Sequence, residues 1–177
     1  MFIALIAIVT ISRGAATFAL PRPGTPPSAS DQGARKAIMQ FIQAQNERNP
    51  GLMAPVLADK FQTLSAGGKV IVTEIRAKML AGLQQGSDTQ TMRLSLAKLV
   101  VCGSKRATQT WATKDPTSET GTAKNSVKMI PGEARALVNV QVRFRVSPTQ
   151  EQTDSGQFIF YLKRQAGKWL VYASQPG

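Results

Sequence analysis

The closing stretch of the chain, Gly156 to Gln175 (GQFIFYLKRQAGKWLVYASQ), limits what the rest can fold into. Two strand-like runs, Gln157–Lys163 and Lys168–Ser174, flank a polar turn at Arg164-Gln165-Ala166-Gly167. In the second run Trp169, Val171 and Ala173 point one way and Lys168, Leu170, Tyr172 and Ser174 the other, the period-two pattern of a half-buried strand. A short polar loop containing Gly suits a hairpin. A lone hairpin is marginal in water, so the chain must supply further strands and a cover for the apolar face.

The strands come from the second half. Met92, Leu94 and Leu96 alternate with Arg93, Ser95 and Ala97, and the run continues through Leu99-Val100-Val101. Arg106–Thr113 and Ser126–Ile130 read as further strands, separated by a polar Gly/Thr/Ser-rich loop over Lys114–Asn125. After a turn at Pro131-Gly132-Glu133, Ala136, Val138, Val140, Val142, Phe144 and Val146 face one side. Arg135, Asn139, Gln141, Arg143 and Arg145 face the other.

The cover comes from the first half. Ala34, Ala37, Ile38, Phe41 and Ile42 recur at helical spacing in Ala34–Arg48, with Ser30 and Asp31 placed to cap. Asn49 and Pro50 stop this helix and start a shorter one, which ends at Ala58-Asp59-Lys60-Phe61. Phe61–Val72 reads as two short extended pieces around Gly67-Gly68. Thr73–Gln85 reads as a third helix with Thr73 as its cap and Gly86 as its stop. Helices first and an antiparallel sheet second give an α+β arrangement, helices on one sheet face.

Ahead of this domain, Met1–Ala19 reads as a signal peptide with a small-x-small ending, and its apolar core, Phe2–Ile11, is too short to span a bilayer. No basic residue precedes the core, so either the amino terminus alone supplies the charge or the true start lies upstream. Leu20–Gly33 is a Pro/Gly/Ser-rich linker. The expected division is a leader over 1–19, a linker over 20–33 and one domain over 34–177. The expected location is periplasmic or extracellular, with no membrane span once the leader is gone.

The residue inventory restricts the chemistry. There is no histidine among the 177 residues and one cysteine, Cys102. That removes Ser-His-Asp and Cys-His catalysis, His-ligated zinc, internal disulfides and thiolate metal clusters. No cofactor or metal is expected. The net charge is +12, from 22 Lys and Arg against 10 Asp and Glu, which favours anionic partners. The basic residues are spread rather than clustered, so nucleic acid is not expected.

The long first helix, the LADKF ending at Leu57–Phe61, the Gly67-Gly68-Lys69 turn and the GKWLVYASQ ending at Gly167–Gln175 together resemble the nuclear transport factor 2-like superfamily, in particular its SnoaL-like bacterial branch. The resemblance covers Ala34–Gln175. It implies a cone in which a curved antiparallel sheet wraps around helices, often with an interior pocket, and pairing of two copies through the outer sheet face. Isomerase and dehydratase members use carboxylates, Tyr or His in the pocket. Here no Asp or Glu lies within the strands Thr91–Val101, Arg106–Thr113, Ser126–Ile130 or Arg135–Val146, so no catalytic role is carried over.

The remaining candidates are few. Asp59 is the one acid at a family-like position, against a reading as a helix-end carboxylate bonded to backbone. Trp111, Tyr161 and Tyr172 are candidates for lining a pocket. Trp169 is expected to pack the core against the first helix. Arg135, Arg143 and Arg145 are candidates for anion binding. Cys102 reads as a buried thiol. Three functions compete. The first is an exported, non-catalytic binding or scaffold domain holding a small apolar molecule in the cone. The second is an isomerase, dehydratase or hydrolase using Asp59 and a Tyr. The third is a basic module for anionic envelope polymers.

Overall fold

The computed structural model describes residues 29–85, 90–102, 107–114, 122–147 and 150–177. The leader and most of the linker lie outside these residues. Helix α1 spans Ala29–Asn46, α2 Pro50–Met53 and α3 Arg76–Gln84. Strands are β1 Leu57–Leu64, β2 Val70–Ile75, β3 Gln90–Val101, β4 Ala107–Lys114, β5 Thr122–Met129, β6 Glu133–Ser147, β7 Gln150–Gln165 and β8 Lys168–Pro176. Six of them form one sheet in the order β2-β1-β8-β7-β6-β3, and β4 and β5 pair as a separate two-stranded sheet.

The final hairpin sits at the centre of that order. Ala166 and Gly167 both have positive φ, 48° and 77°, and Gln165 pairs with Lys168 around them. Two left-handed residues in a two-residue loop match the strand twist, which is why Gly closes the turn. From this hairpin the sheet grows antiparallel through β7, β6 and β3. On its other side β1 joins β8 in parallel, with Leu57 opposite Val171 and Thr63 opposite Ser174. The sheet is therefore curved and mixed, where an antiparallel one was expected. The order of elements along a sequence does not fix the direction in which a strand from the first half meets one from the end.

Several boundaries move. Helix α1 begins five residues before Ala34, inside the expected linker. The Leu57–Phe61 segment, expected to end the second helix, is strand β1. The third helix begins at Arg76 after β2 runs through Thr73, and its N-cap is Ile75, without a side-chain hydrogen bond. Asn49 does cap α2, accepting from the backbone of Gly51 at 3.0 Å and Leu52 at 3.2 Å. β7 extends back to Gln150, through a segment read as a lead-in to the hairpin.

The core lies between α1 and the inner sheet face. Ile38, Phe41, Met53, Leu57, Val138, Leu162 and Val171 are among its most buried members. Phe41 stands at the centre, its ring centroid 5.1 Å from Phe160 and 6.4 Å from Phe61, near-parallel to the latter. Trp169 is buried against α1 as expected: a Cβ added at Gly33 would lie 2.9 Å from its ring Cδ1. Polar ties hold the helix in place. Gln40 Nε2 donates to the Leu52 carbonyl at 2.8 Å. Asn46 at the end of α1 accepts from Leu94 N at 2.7 Å and donates to Leu94 O at 3.0 Å. Its amide thus occupies backbone groups on the outer edge of β3, which would otherwise be open to another strand.

Candidate functional site

The inner sheet face is committed to packing. Ala134, Ala136, Val138, Val140, Phe160, Leu162, Trp169 and Val171 are all buried there, and partly buried Leu83, Leu96, Leu99 and Phe158 pack against them. Among the described residues no carboxylate is buried. The interior formed by these residues carries mainly apolar side chains and no acid–base pair.

Asp59 lies on β1 with an exposed carboxylate, 2.6 Å from Arg76 Nη2 at the start of α3. It serves as a partner for that guanidinium at the surface and is neither a helix-end residue nor bonded to turn backbone.

The two tyrosines lie on the outward face. Leu137, Ile159 and Tyr161 form a small apolar cluster there, apart from the main core. The Arg135 guanidinium sits 5.0 Å from the Tyr161 ring centroid, and the Tyr172 ring lies 6.2 Å from that of Tyr161. Lys163 Nζ is 5.5 Å from the Tyr172 ring. The Tyr161 hydroxyl donates to Gln175 Oε1, and Gln175 Nε2 donates to the Ala66 carbonyl at 2.6 Å. Burial raises the pKa of Tyr161 above the ordinary 10.0, and the Arg135 charge offsets part of this. Burial likewise raises Tyr172, and the Glu133 carboxylate adds to the rise. Trp111 pairs with Asn125 in the β4–β5 hairpin, and its side chain lies outside the described residues. Cys102 is buried, its Sγ 3.5 Å from the Met129 carbonyl.

The arginine stripe divides. Arg135 is 6% exposed beneath Tyr161 and belongs to the aromatic cluster. Arg145 is 3.8 Å from Glu151 on the neighbouring strand. Arg143 is exposed and sits diagonally across from Arg93, because Thr91 pairs with Arg143 and Arg93 with Gln141. A cleft of about 90 Å³ lies between them, lined by Thr91, Arg93, Gln141 and Arg143.

This cleft adjoins a larger outward groove of about 700 Å³. Arg93 and Ser95 from β3, Asn139 and Gln141 from β6, and Ser155 and Gln157 from β7 form its walls. Two registers align them, β3 with β6 and β6 with β7: Arg93–Gln141–Ser155 is one row and Ser95–Asn139–Gln157 the next. Between the rows run Leu94, Val140 and Gly156, whose alternation turns Leu94 and Val140 inward and leaves their backbone as the floor. Gln157 Nε2 donates to Asn139 Oδ1 at 2.9 Å, linking neighbouring amides along one wall.

Sequence reasoning identified Asn139, Gln141 and Arg143 on one strand face. It missed Thr91, Arg93, Ser155 and Gln157 as their companions. The signal for Arg93 and Ser95 was present in their alternation with Met92, Leu94 and Leu96. What was lacking was the register that sets β3 beside β6.

No family model matches the chain, and no curated protein does. Solved structures do. A conserved protein from Planctomyces limnophilus aligns over 83% of this chain and 94% of its own, with 11% identity and a TM-score of 0.52. A protein of unknown function with a cystatin-like fold from Nostoc punctiforme aligns over 86% and 93%, with 12% identity and a TM-score of 0.50. An LEH-like epoxide hydrolase from M. tuberculosis aligns over 87% and 83%, with 8% identity and a TM-score of 0.51. Helices on a curved sheet, with these neighbours, give the chain a cone-like α+β fold of the cystatin-like kind. At such identities the likeness is one of fold alone.

Proposed function

We propose that the chain is an exported, non-catalytic binding domain that works through the outward face of its sheet. The observation that carries this reading is the interior, which among the described residues is packed with apolar side chains. Phe41 lies between the rings of Phe61 and Phe160, and Trp169 is buried against α1. The outward face instead offers an open polar groove. The leader Met1–Ala19 supports export, with the mature chain beginning near Leu20.

The competing reading is a hydrolase or isomerase, and one neighbour in fold is named an epoxide hydrolase. Against it, the Asp59 carboxylate is engaged by Arg76 and the Tyr161 hydroxyl by Gln175, and neither faces an acid–base partner in a shared cavity. Native mass spectrometry of protein recovered from an exporting host tests the proposal. The expected result is a chain starting near Leu20 with no retained small molecule. A retained apolar molecule, or a mature chain still carrying Met1, would contradict it.

A further inference from the structure

We propose that the groove on β3, β6 and β7 binds an acidic polysaccharide, one whose sugars each carry a single carboxylate. This rests on the binding-domain reading above and names the ligand. Two adjacent features of the sheet share Arg93 and Gln141.

The first is the cleft between Arg93 and Arg143. Diagonal neighbours on paired strands stand about 7–8 Å apart, and both arginines line a cleft of about 90 Å³, room for one small anion. Among the described residues no acid pairs with either. Glu151 is taken by Arg145, and Asp154 lies opposite Val142, on the other face of the sheet. Two like charges held side by side repel each other until an anion joins them. A planar guanidinium binds carboxylate oxygens through two parallel N–H donors. Thr91 and Gln141 add a hydroxyl and an amide to the same cleft.

The second feature is the groove beside it, walled by Ser95, Asn139, Gln141, Ser155 and Gln157. Amides offer both donors and acceptors, and hydroxyls do the same. That set matches the hydroxyls of a sugar ring, which also donate and accept. It does not suit a bare polyanion, which has no donors to offer. An anion-sized cleft opening onto a polyol-matched groove fits an acid-bearing sugar. The groove is open to solvent, so neighbouring sugars of a polymer can extend beyond it.

Isothermal titration calorimetry of the protein from an exporting host tests this, with oligogalacturonate as the acidic sugar, a maltooligosaccharide as the neutral one and polyphosphate as the sugar-free polyanion. The expected result is binding of oligogalacturonate that weakens with added salt, with the other two at least about tenfold weaker. The Arg93→Gln/Arg143→Gln variant should lose at least about tenfold in affinity, as removal of two charge-assisted contacts requires. Lys36→Gln/Lys60→Gln, which removes the same charge from exposed positions on α1 and β1, should stay within about twofold, a change worth well under the tenfold step. Circular dichroism of each variant reports folding, and Gln141→Ala serves as a second variant that leaves the charge intact and should also weaken binding. No binding of oligogalacturonate by folded protein would overturn the proposal. Equal binding of polyphosphate or the neutral sugar, or equal losses in both double variants, would do so too. A bare native mass with no glycan binding would leave the binding-domain reading standing. A molecule retained in the interior, or turnover that depends on Asp59, would remove that reading whatever the calorimetry gives.

Discussion

Gly33 is where α1 comes closest to the indole of Trp169. An alanine there gains up to about 1 kcal/mol of helix propensity in an isolated helix. Its methyl would stand 2.9 Å from Cδ1 and 3.1 Å from Nε1 of a buried ring that has little room to turn. Overpacking of this kind costs about 1–3 kcal/mol, so the clash outweighs the propensity. Gly33→Ala should therefore lower the thermal midpoint, by about 2–4 °C for each kcal/mol lost in a domain of this size. Gln32→Ala, at an exposed neighbour, should change stability by no more than about 0.5 kcal/mol. Equal stability of wild type and Gly33→Ala would mean that the indole moves freely. This contact also shows why the linker boundary was hard to read. Gly33 looks like a breaker beside Pro and Ser, and only the distant Trp169 makes it a helical residue.

At the scale of elements, bulges decide which face a side chain takes. β8 has one extra residue at Tyr172, since Val171 pairs with Leu162 and Ala173 with Tyr161. The alternation read from Trp169 onward therefore breaks there, and Ser174 comes opposite Phe160 where Ala173 was expected on the inner face. A similar shift between Leu96 and Lys98 lets Leu99 and Val101 join Leu96 in packing on the core. The long helix α1 and the strands β3, β6 and β8 were legible because their periodicity is local, whereas the short β1 at Leu57–Phe61 read as helix. Bulges were not legible, because a bulge depends on the partner strand. The β8 bulge sets Tyr172 beside Tyr161, and both are half-buried on the outward face. Each has a raised pKa in the folded state, so each holds its proton more firmly than in the unfolded chain. Their contribution to stability is whole below the ordinary value of 10.0 and is lost as the pH rises through the raised values. The chain has two tyrosines, so tyrosinate absorbance reads these two alone. Native protein should titrate above pH 10, and protein in denaturant at about 10. A native midpoint at or below the denatured one would contradict the burial described.

At the scale of the whole molecule, the α+β cone was legible and the location of the proposed binding surface was not. The hydrophobic stripe of α1 and the strands from Met92 onward prescribe helices over a sheet. The size of the space between them depends on how Phe41, Phe61, Phe160 and Trp169 fill it, which no local pattern reveals. The candidate site suffers from the same dependence. Arg135, Arg143 and Arg145 form one stripe in sequence, yet Tyr161 covers the first and Glu151 meets the third. Only Arg143 remains for the groove, joined by Arg93 through the β3–β6 register. On the proposed reading this molecule binds with its outward sheet face and not with its interior. Amide chemical-shift mapping during titration with oligogalacturonate tests it most directly. Shifts confined to Thr91–Ser95, Asn139–Arg143 and Ser155–Gln157 are the predicted result. Shifts centred on Phe41, Phe61 and Phe160 would contradict it.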